Sequence, residues 1–139
     1  MSLTIPDNPF GDRVRLRLEA EIVAWLTTVR SDGTPQASPI WFWWDGDTVL
    51  IYSKDNTARL RNLARSSATS FHFDGDGDGG DIVIFEGTCN VSDDPPSTEI
   101  PEYQEKYRTE IVDIAHDPGS FAVAYPVPLR FIPTRLRGF

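Results

Sequence analysis

Residues 23–52 constrain this chain most, because they hold three strand-forming runs separated by two turn signals. The first run is Val23-Ala24-Trp25-Leu26-Thr27-Thr28-Val29-Arg30, rich in β-branched and aromatic residues. It stops at Ser31-Asp32-Gly33-Thr34. Asp-Gly between two such runs is a strong hairpin signal, since both residues tolerate the positive φ of a tight turn. The second run extends from Pro35 to Trp44, and Asp45-Gly46-Asp47 turns the chain into the third, Thr48 to Tyr52. Turns this short join antiparallel neighbours, not parallel ones.

Along the second run, Gln36, Ser38, Ile40, Phe42 and Trp44 alternate onto one face, with Pro35, Ala37, Pro39, Trp41 and Trp43 on the other. Proline cannot donate to a β-ladder, so Pro35 and Pro39 place this run at an edge or a bulge. A planar ligand ring would lie well against its tryptophans, although core or dimer packing is the plainer use of at least two of them.

The remaining elements surround this meander. Arg13 to Ile22 has helical spacing in Val14, Leu18 and Ile22, with Asp12 as candidate N-cap. A helix is expected over Thr57 to Arg65. Strands follow at Ala68 to Phe73 and Ile82 to Val91. Tyr103, Tyr107, Ile111 and Ile114 form an apolar stripe on one helix from about Ile100 to Ala115. Asp117-Pro118 reads as an N-cap and first helical position. A final strand runs from Leu129 to Arg137. This order predicts a mostly antiparallel β-barrel with peripheral helices, in one domain over residues 1–139 with 1–10 as a mobile lead-in.

The net charge of -8 argues against nucleic acid as a partner. The absence of a long apolar run argues against a membrane span, and with the single cysteine it fits the cytoplasm. Cys89 lies in an alternating strand pattern and reads as a buried structural thiol. No metal site is expected. Asp74-Gly75-Asp76-Gly77-Asp78-Gly79 imitates a calcium loop, but its twelfth position is Phe85. His72 and His116 have no close partners in sequence.

Against that acidic background, Ser53 to Arg65 concentrates Lys54, Arg59, Arg61 and Arg65. A strand that delivers a cationic loop to a helix N-terminus is suited to an anion, because free N–H groups and the helix dipole point at it. Lys54 and Arg59, near the helix start, are the expected phosphate pair. Arg61 and Arg65 lie one turn apart and lead away from it. No acid–base dyad stands out as catalytic.

Trp25-Leu26-Thr27-Thr28-Val29, Asp32-Gly33-Thr34-Pro35-Gln36, Pro39-Ile40-Trp41-Phe42 and Arg59-Leu60-Arg61-Asn62-Leu63 occur in this order. The set resembles the pyridoxamine-phosphate-oxidase-like split β-barrel superfamily. It is most similar to the small actinobacterial branch that uses the deazaflavin coenzyme F420. The resemblance implies a homodimer with cofactor sites at the subunit interface. It places the cofactor ring against Pro39, Ile40, Trp41 and Phe42, and the phosphate at Ser53, Lys54, Arg59 and Arg61 with Asn62 nearby. Many relatives carry Lys where this chain has Arg59. The implied activity is hydride transfer between reduced F420 and a small organic substrate. The alternatives are an FMN-dependent oxidoreductase and a non-catalytic flavin- or haem-binding protein.

Overall fold

The computed structural model describes residues 3–139. Seven strands form one sheet in the order β2-β1-β5-β6-β7-β4-β3, with every neighbouring pair antiparallel. The strands are β1 (Ala24–Val29), β2 (Pro35–Ile40), β3 (Trp43–Trp44), β4 (Val49–Ser53), β5 (Ala68–His72), β6 (Val83–Val91) and β7 (Val127–Gly138). The helices are α1 (Pro9–Ala20), α2 (Ala58–Arg65), α3 (Pro101–Lys106), α4 (Arg108–Ala115) and α5 (Pro118–Ala124).

The proline-bearing β2 is an edge strand, as its composition predicts. The expected continuous strand over 35–44 is instead broken. Trp41 and Phe42 belong to no strand, and β3 lies at the opposite edge of the sheet. Two residues thus carry the chain from one edge to the other. That is possible only if the sheet curls until its edges meet, which makes it a split barrel.

The inside of the curl is the main core. Val14, Leu26, Phe42, Phe71, Phe85, Cys89 and Phe131 are each no more than 1% exposed. Phe71 is its hub, edge-on to Phe42 and stacked on Phe131. Burial pushes the Cys89 thiol up to about 12, so it packs as a small apolar group. A second cluster lies outside the sheet, where Leu50 and Tyr52 meet Tyr103, Tyr107, Ile111 and Phe121.

Three local expectations are corrected. The α1 N-cap is Asn8, not Asp12: Asn8 Oδ1 accepts from Gly11 N at 2.8 Å, and Pro9 takes the first helical position. Of the expected lead-in over 1–10, residues 1–2 lie outside the described residues, and the part from residue 3 makes contacts with the body of the fold. Leu3 and Ile5 pack on the main core, and Arg15 donates to the Ile5 carbonyl at 2.6 Å. The helix over 100–115 divides at Tyr107, where φ is -108° and ψ 18°. At about 100° per residue, positions 103, 107 and 111 drift by about 40° per step. The break lets all three residues keep facing one cluster. At α5, Asp117 caps as expected and accepts from Ser120 N at 2.7 Å.

Candidate functional site

The site begins where β4 ends. Ser53 is buried, and the chain turns through Lys54, Asp55 and Asn56 before α2. Asn56 takes a φ of 57°, which its short polar side chain tolerates better than most. Thr57 is the N-cap, its Oγ1 accepting from Leu60 N at 3.3 Å. Arg59 therefore projects from the first turn of α2, beside amide groups that no helical carbonyl can satisfy.

Arg59 spans the split in the barrel. One guanidinium nitrogen donates to Ser38 Oγ on β2 at 2.7 Å, and the other to Ser53 Oγ on β4 at 3.3 Å. Its buried Nε has no partner. Burial lowers the guanidinium below the usual arginine range, yet arginine stays charged at any working pH. Elsewhere Arg13, Arg15, Arg17, Arg108, Arg130 and Arg137 each pair with a carboxylate. Among the described residues, Lys54, Arg59, Arg61 and Arg65 have no acidic partner within 4.0 Å.

Lys54 and Arg59 line a cavity of about 460 Å³. Pro39, Ile40 and Trp41 form its wall on the β2 side, and Ile114, Phe121 and Tyr125 close it from α4 and α5. Lys54 Nζ lies 5.5 Å from the centre of the Tyr125 ring. Trp41, which lines the cavity, is stacked with Tyr107 at 4.7 Å and 8° and with Phe121 at 5.5 Å and 14°. A smaller cavity of about 210 Å³ adjoins the first, sharing Thr57 and Arg59 and adding Thr28, Gln36 and Ser38.

The structure thus gathers Pro39, Ile40, Trp41, Lys54 and Arg59 around one cavity. Ser53 sits behind Arg59 as its acceptor. Phe42 does not reach the cavity: its ring is wholly buried against Phe71 and Phe73 because the crossing from β2 to β3 turns it into the core. Asn62 is also internal. Its Nδ2 donates to Thr28 Oγ1 at 2.9 Å and to Gln36 Oε1 at 3.0 Å, tying α2 to β1 and β2. Arg61 is exposed and donates to the Asn56 carbonyl at 3.3 Å. Arg65 donates to Val29 O at 3.3 Å and Asn62 Oδ1 at 3.2 Å.

Sequence reasoning missed the outer wall, Val23, Tyr52, Tyr103, Ile114, Phe121 and Tyr125. Their spacing reads as an ordinary core stripe, and nothing in it distinguishes a core from a cavity wall. Tyr103 carries the one polar signal. Its Oη is buried without a hydrogen-bond partner, and burial, with Tyr107 and Tyr52 adding to it, raises its pKa.

These features fit a phosphate-bearing planar cofactor. An orphaned guanidinium nitrogen, an unpaired lysine and free first-turn amides suit the anion, and the apolar wall suits a ring system. A curled antiparallel sheet whose two edges meet, with Arg59 bridging Ser38 on β2 and Ser53 on β4, is a split β-barrel. Residues 10–127 match the family described as pyridoxamine 5'-phosphate oxidase, and the chain belongs to that family.

Several solved structures share the fold. One described as an F420 reductase is 22% identical, with 88% of this chain and 94% of that chain covered and a TM-score of 0.71. A conserved hypothetical protein of Mycobacterium tuberculosis is 20% identical, with 96% and 84% covered and a TM-score of 0.70. The haem storage protein HutZ of Vibrio cholerae is 11% identical, with 91% and 92% covered and a TM-score of 0.64. At such identities the likeness is one of fold. No helix among the described residues is long and apolar enough to cross a membrane.

Proposed function

We propose that this chain is an oxidoreductase that binds F420 and passes hydride between the reduced cofactor and a small organic substrate. One observation carries the reading. A single cavity of about 460 Å³ joins an apolar wall to two cations, Lys54 and Arg59, that have no carboxylate partner within 4.0 Å among the described residues. The family membership and the resemblance to the F420-using branch support it.

When bound, F420 supplies hydride chemistry at its deazaflavin ring. The chain's own residues bind, orient and dry the site. Lys54 and Arg59 hold the phosphate, with Ser38 and Ser53 fixing the Arg59 guanidinium so that little reorganisation is needed on binding. Pro39, Ile40 and Trp41 would supply the wall against which the ring is held. Ile114, Phe121 and Tyr125 exclude water. Tyr103 Oη keeps its proton, so it acts as a hydrogen-bond donor, not a base. Arg61 and Arg65, on the outer part of α2, extend the positive field along the path of the cofactor's glutamate tail.

FMN is the competing cofactor, since it also ends in phosphate. A haem-binding protein is the second alternative, with Tyr52, Tyr103 and Tyr125 as the cavity-wall residues of a type that can ligate haem iron. The reading includes a homodimer. Val23 and Ile114 line the cavity yet are 39% and 54% exposed, and Val123 on α5 is 81% exposed. A second copy covering them would complete the site.

The test is reconstitution with F420 and with FMN, followed by fluorescence titration, turnover with reduced F420 and a panel of acceptors, and sedimentation. Preferential F420 binding, turnover and a dimer are expected. Tighter FMN binding, or F420 binding without turnover of any acceptor, would replace the reading with a flavin enzyme or a cofactor carrier.

A further inference from the structure

A second cavity, of about 510 Å³, lies between α1, β3 and α3 and plays no part in the proposed hydride chemistry. Trp43, Trp44 and Leu18 give it an aromatic and apolar wall, and Glu19 and Glu102 give it negative charge. Glu105 also lines it but is paired with Arg108. Lys106 stands in this wall, four residues after Glu102 and so on the same face of α3.

Lys106 is unlike the other lysine of the chain. Its Nζ donates to the Phe42 carbonyl at 2.9 Å and lies 3.6 Å from the centre of the buried Phe42 ring. None of its contacts is an ion pair within 4.0 Å, among the described residues. The carbonyl needs only one N–H, so a neutral amine keeps this anchor and has its lone pair left over.

We propose that Lys106 is a covalent ligand site, an amine that condenses with neutral aromatic aldehydes entering the cavity between α1, β3 and α3. The lone pair of Nζ attacks the aldehyde carbon and forms a C–N bond. The carbonyl oxygen leaves as water, taking up protons from the amine and solvent, and a protonated imine remains. No electrons are exchanged with another reagent. The indoles of Trp43 and Trp44 take the aromatic ring. The carboxylates of Glu19 and Glu102 favour the iminium cation and disfavour aldehydes that carry an anionic group.

The state of the amine agrees with this geometry. Burial pushes Lys106 down to about 8, against a partial rise from Glu21. At pH 7 that leaves roughly two-hundredfold more neutral amine than a lysine at the ordinary value of about 10.4. The groups facing it are Glu19 and Glu21 at the α1 end, Glu102 and Glu105 on α3, and the Tyr107 ring at 5.3 Å.

The chain has only two lysines, Lys54 and Lys106, which makes the test selective. The folded protein is incubated with benzaldehyde and cyanoborohydride at pH 6 to 10, and each lysine is quantified by peptide mapping. At pH 7 labelling at Lys106 should exceed that at Lys54 about tenfold, with its rate levelling off above about pH 8. Glyoxylate, an anionic aldehyde, should reverse the preference, because Lys54 lies beside Arg59. Equal labelling of the two lysines by benzaldehyde, or labelling of Lys106 only after thermal unfolding, would overturn the proposal. Because no F420 is present, its failure leaves the cofactor reading untouched.

Discussion

Arg59 and Ser38 are hydrogen-bonded at 2.7 Å although they belong to elements on either side of the barrel's split. Ser38 is on β2 at one end of the sheet, whereas Arg59 follows β4 near the other. The guanidinium therefore fastens the opening at which the proposed phosphate binds. Lysine carries three donors on one nitrogen and lacks the planar fork that spans these two hydroxyls from separate nitrogens.

Arg59→Ala should weaken F420 binding by about 1.5–3 kcal/mol, the scale of a charge-assisted hydrogen bond, and should also lower the melting temperature. Arg59→Lys should recover part of the affinity but not the melting temperature. Fluorescence titration and thermal melts of both variants check this, and wild-type affinity in Arg59→Ala removes Arg59 from the site.

Lys54 is tested with a smaller structural side effect, because its side chain is exposed and its contact with the Tyr125 ring, at 5.5 Å, is long. Lys54→Ala should reduce F420 affinity by about 1.5–3 kcal/mol with an unchanged denaturation midpoint. An unchanged affinity would place the phosphate elsewhere.

Arg61→Ala combined with Arg65→Ala should weaken F420 about threefold to tenfold more than FMN, because exposed charges contribute about 0–1 kcal/mol each. Added salt should shrink the difference, since such charges are screened within about 8–10 Å. Equal losses for the two cofactors at low salt would mean that the tail does not follow α2.

Tyr107 fixes the crossing between β2 and β3. Phe42 N–H donates to its Oη at 2.8 Å, and that hydroxyl donates to the Ile22 carbonyl at 2.7 Å. Tyr107→Phe leaves a buried amide without a partner and should cost about 1–3 kcal/mol. Chemical denaturation gives the number. A loss below about 0.5 kcal/mol would show that water replaces the hydroxyl.

Arg130 joins Asp94 on the loop after β6 to Asp45 on the turn before β4, at 2.8 and 2.9 Å. The hydrogen bond from Arg130 holds the Asp94 carboxyl below the usual range, with Ser92 assisting. A depressed carboxylate pKa stabilises the fold above the unfolded value, about 3.9, and that contribution is lost as pH falls through the folded value. Asp94→Asn should therefore be destabilised at pH 7 by about 1–2 kcal/mol, with the difference from wild type narrowing as pH falls below the unfolded value of about 3.9. Denaturation midpoints measured from pH 7 to 3 decide it, and a constant difference across that range would contradict the sign.

Much of this arrangement is legible in the sequence. The Asp32-Gly33 hairpin, the edge position of the proline-bearing strand and the cap at Asp117 follow from local chemistry, and the structure has all three. The break after Ile40 is not local. Trp41 and Phe42 look like continuing strand residues, and only the curl of the whole sheet sends them across the split. The stacking of Trp41 is equally hidden, because its partners Tyr107 and Phe121 lie more than sixty residues away. Asn62 shows a third kind of miss. A polar residue beside arginines suggests a ligand contact, yet its amide is consumed by Thr28 and Gln36 inside the fold.

The place of β7 in the sheet also bears on how the chain assembles during synthesis. It is the last strand in chain order, yet it lies between β6 and β4. Until residues 127–138 arrive, β2, β1, β5 and β6 form one ribbon, and β4 with β3 another, joined by the crossing at Trp41-Phe42 and by the α2 segment but by no strand pairing. Each ribbon then presents an unpaired backbone edge of the kind that captures other chains. The nascent protein is thus most exposed to misassembly after β6 has left the ribosome and before β7 has, and a chaperone that shields strand edges would have its effect in that interval.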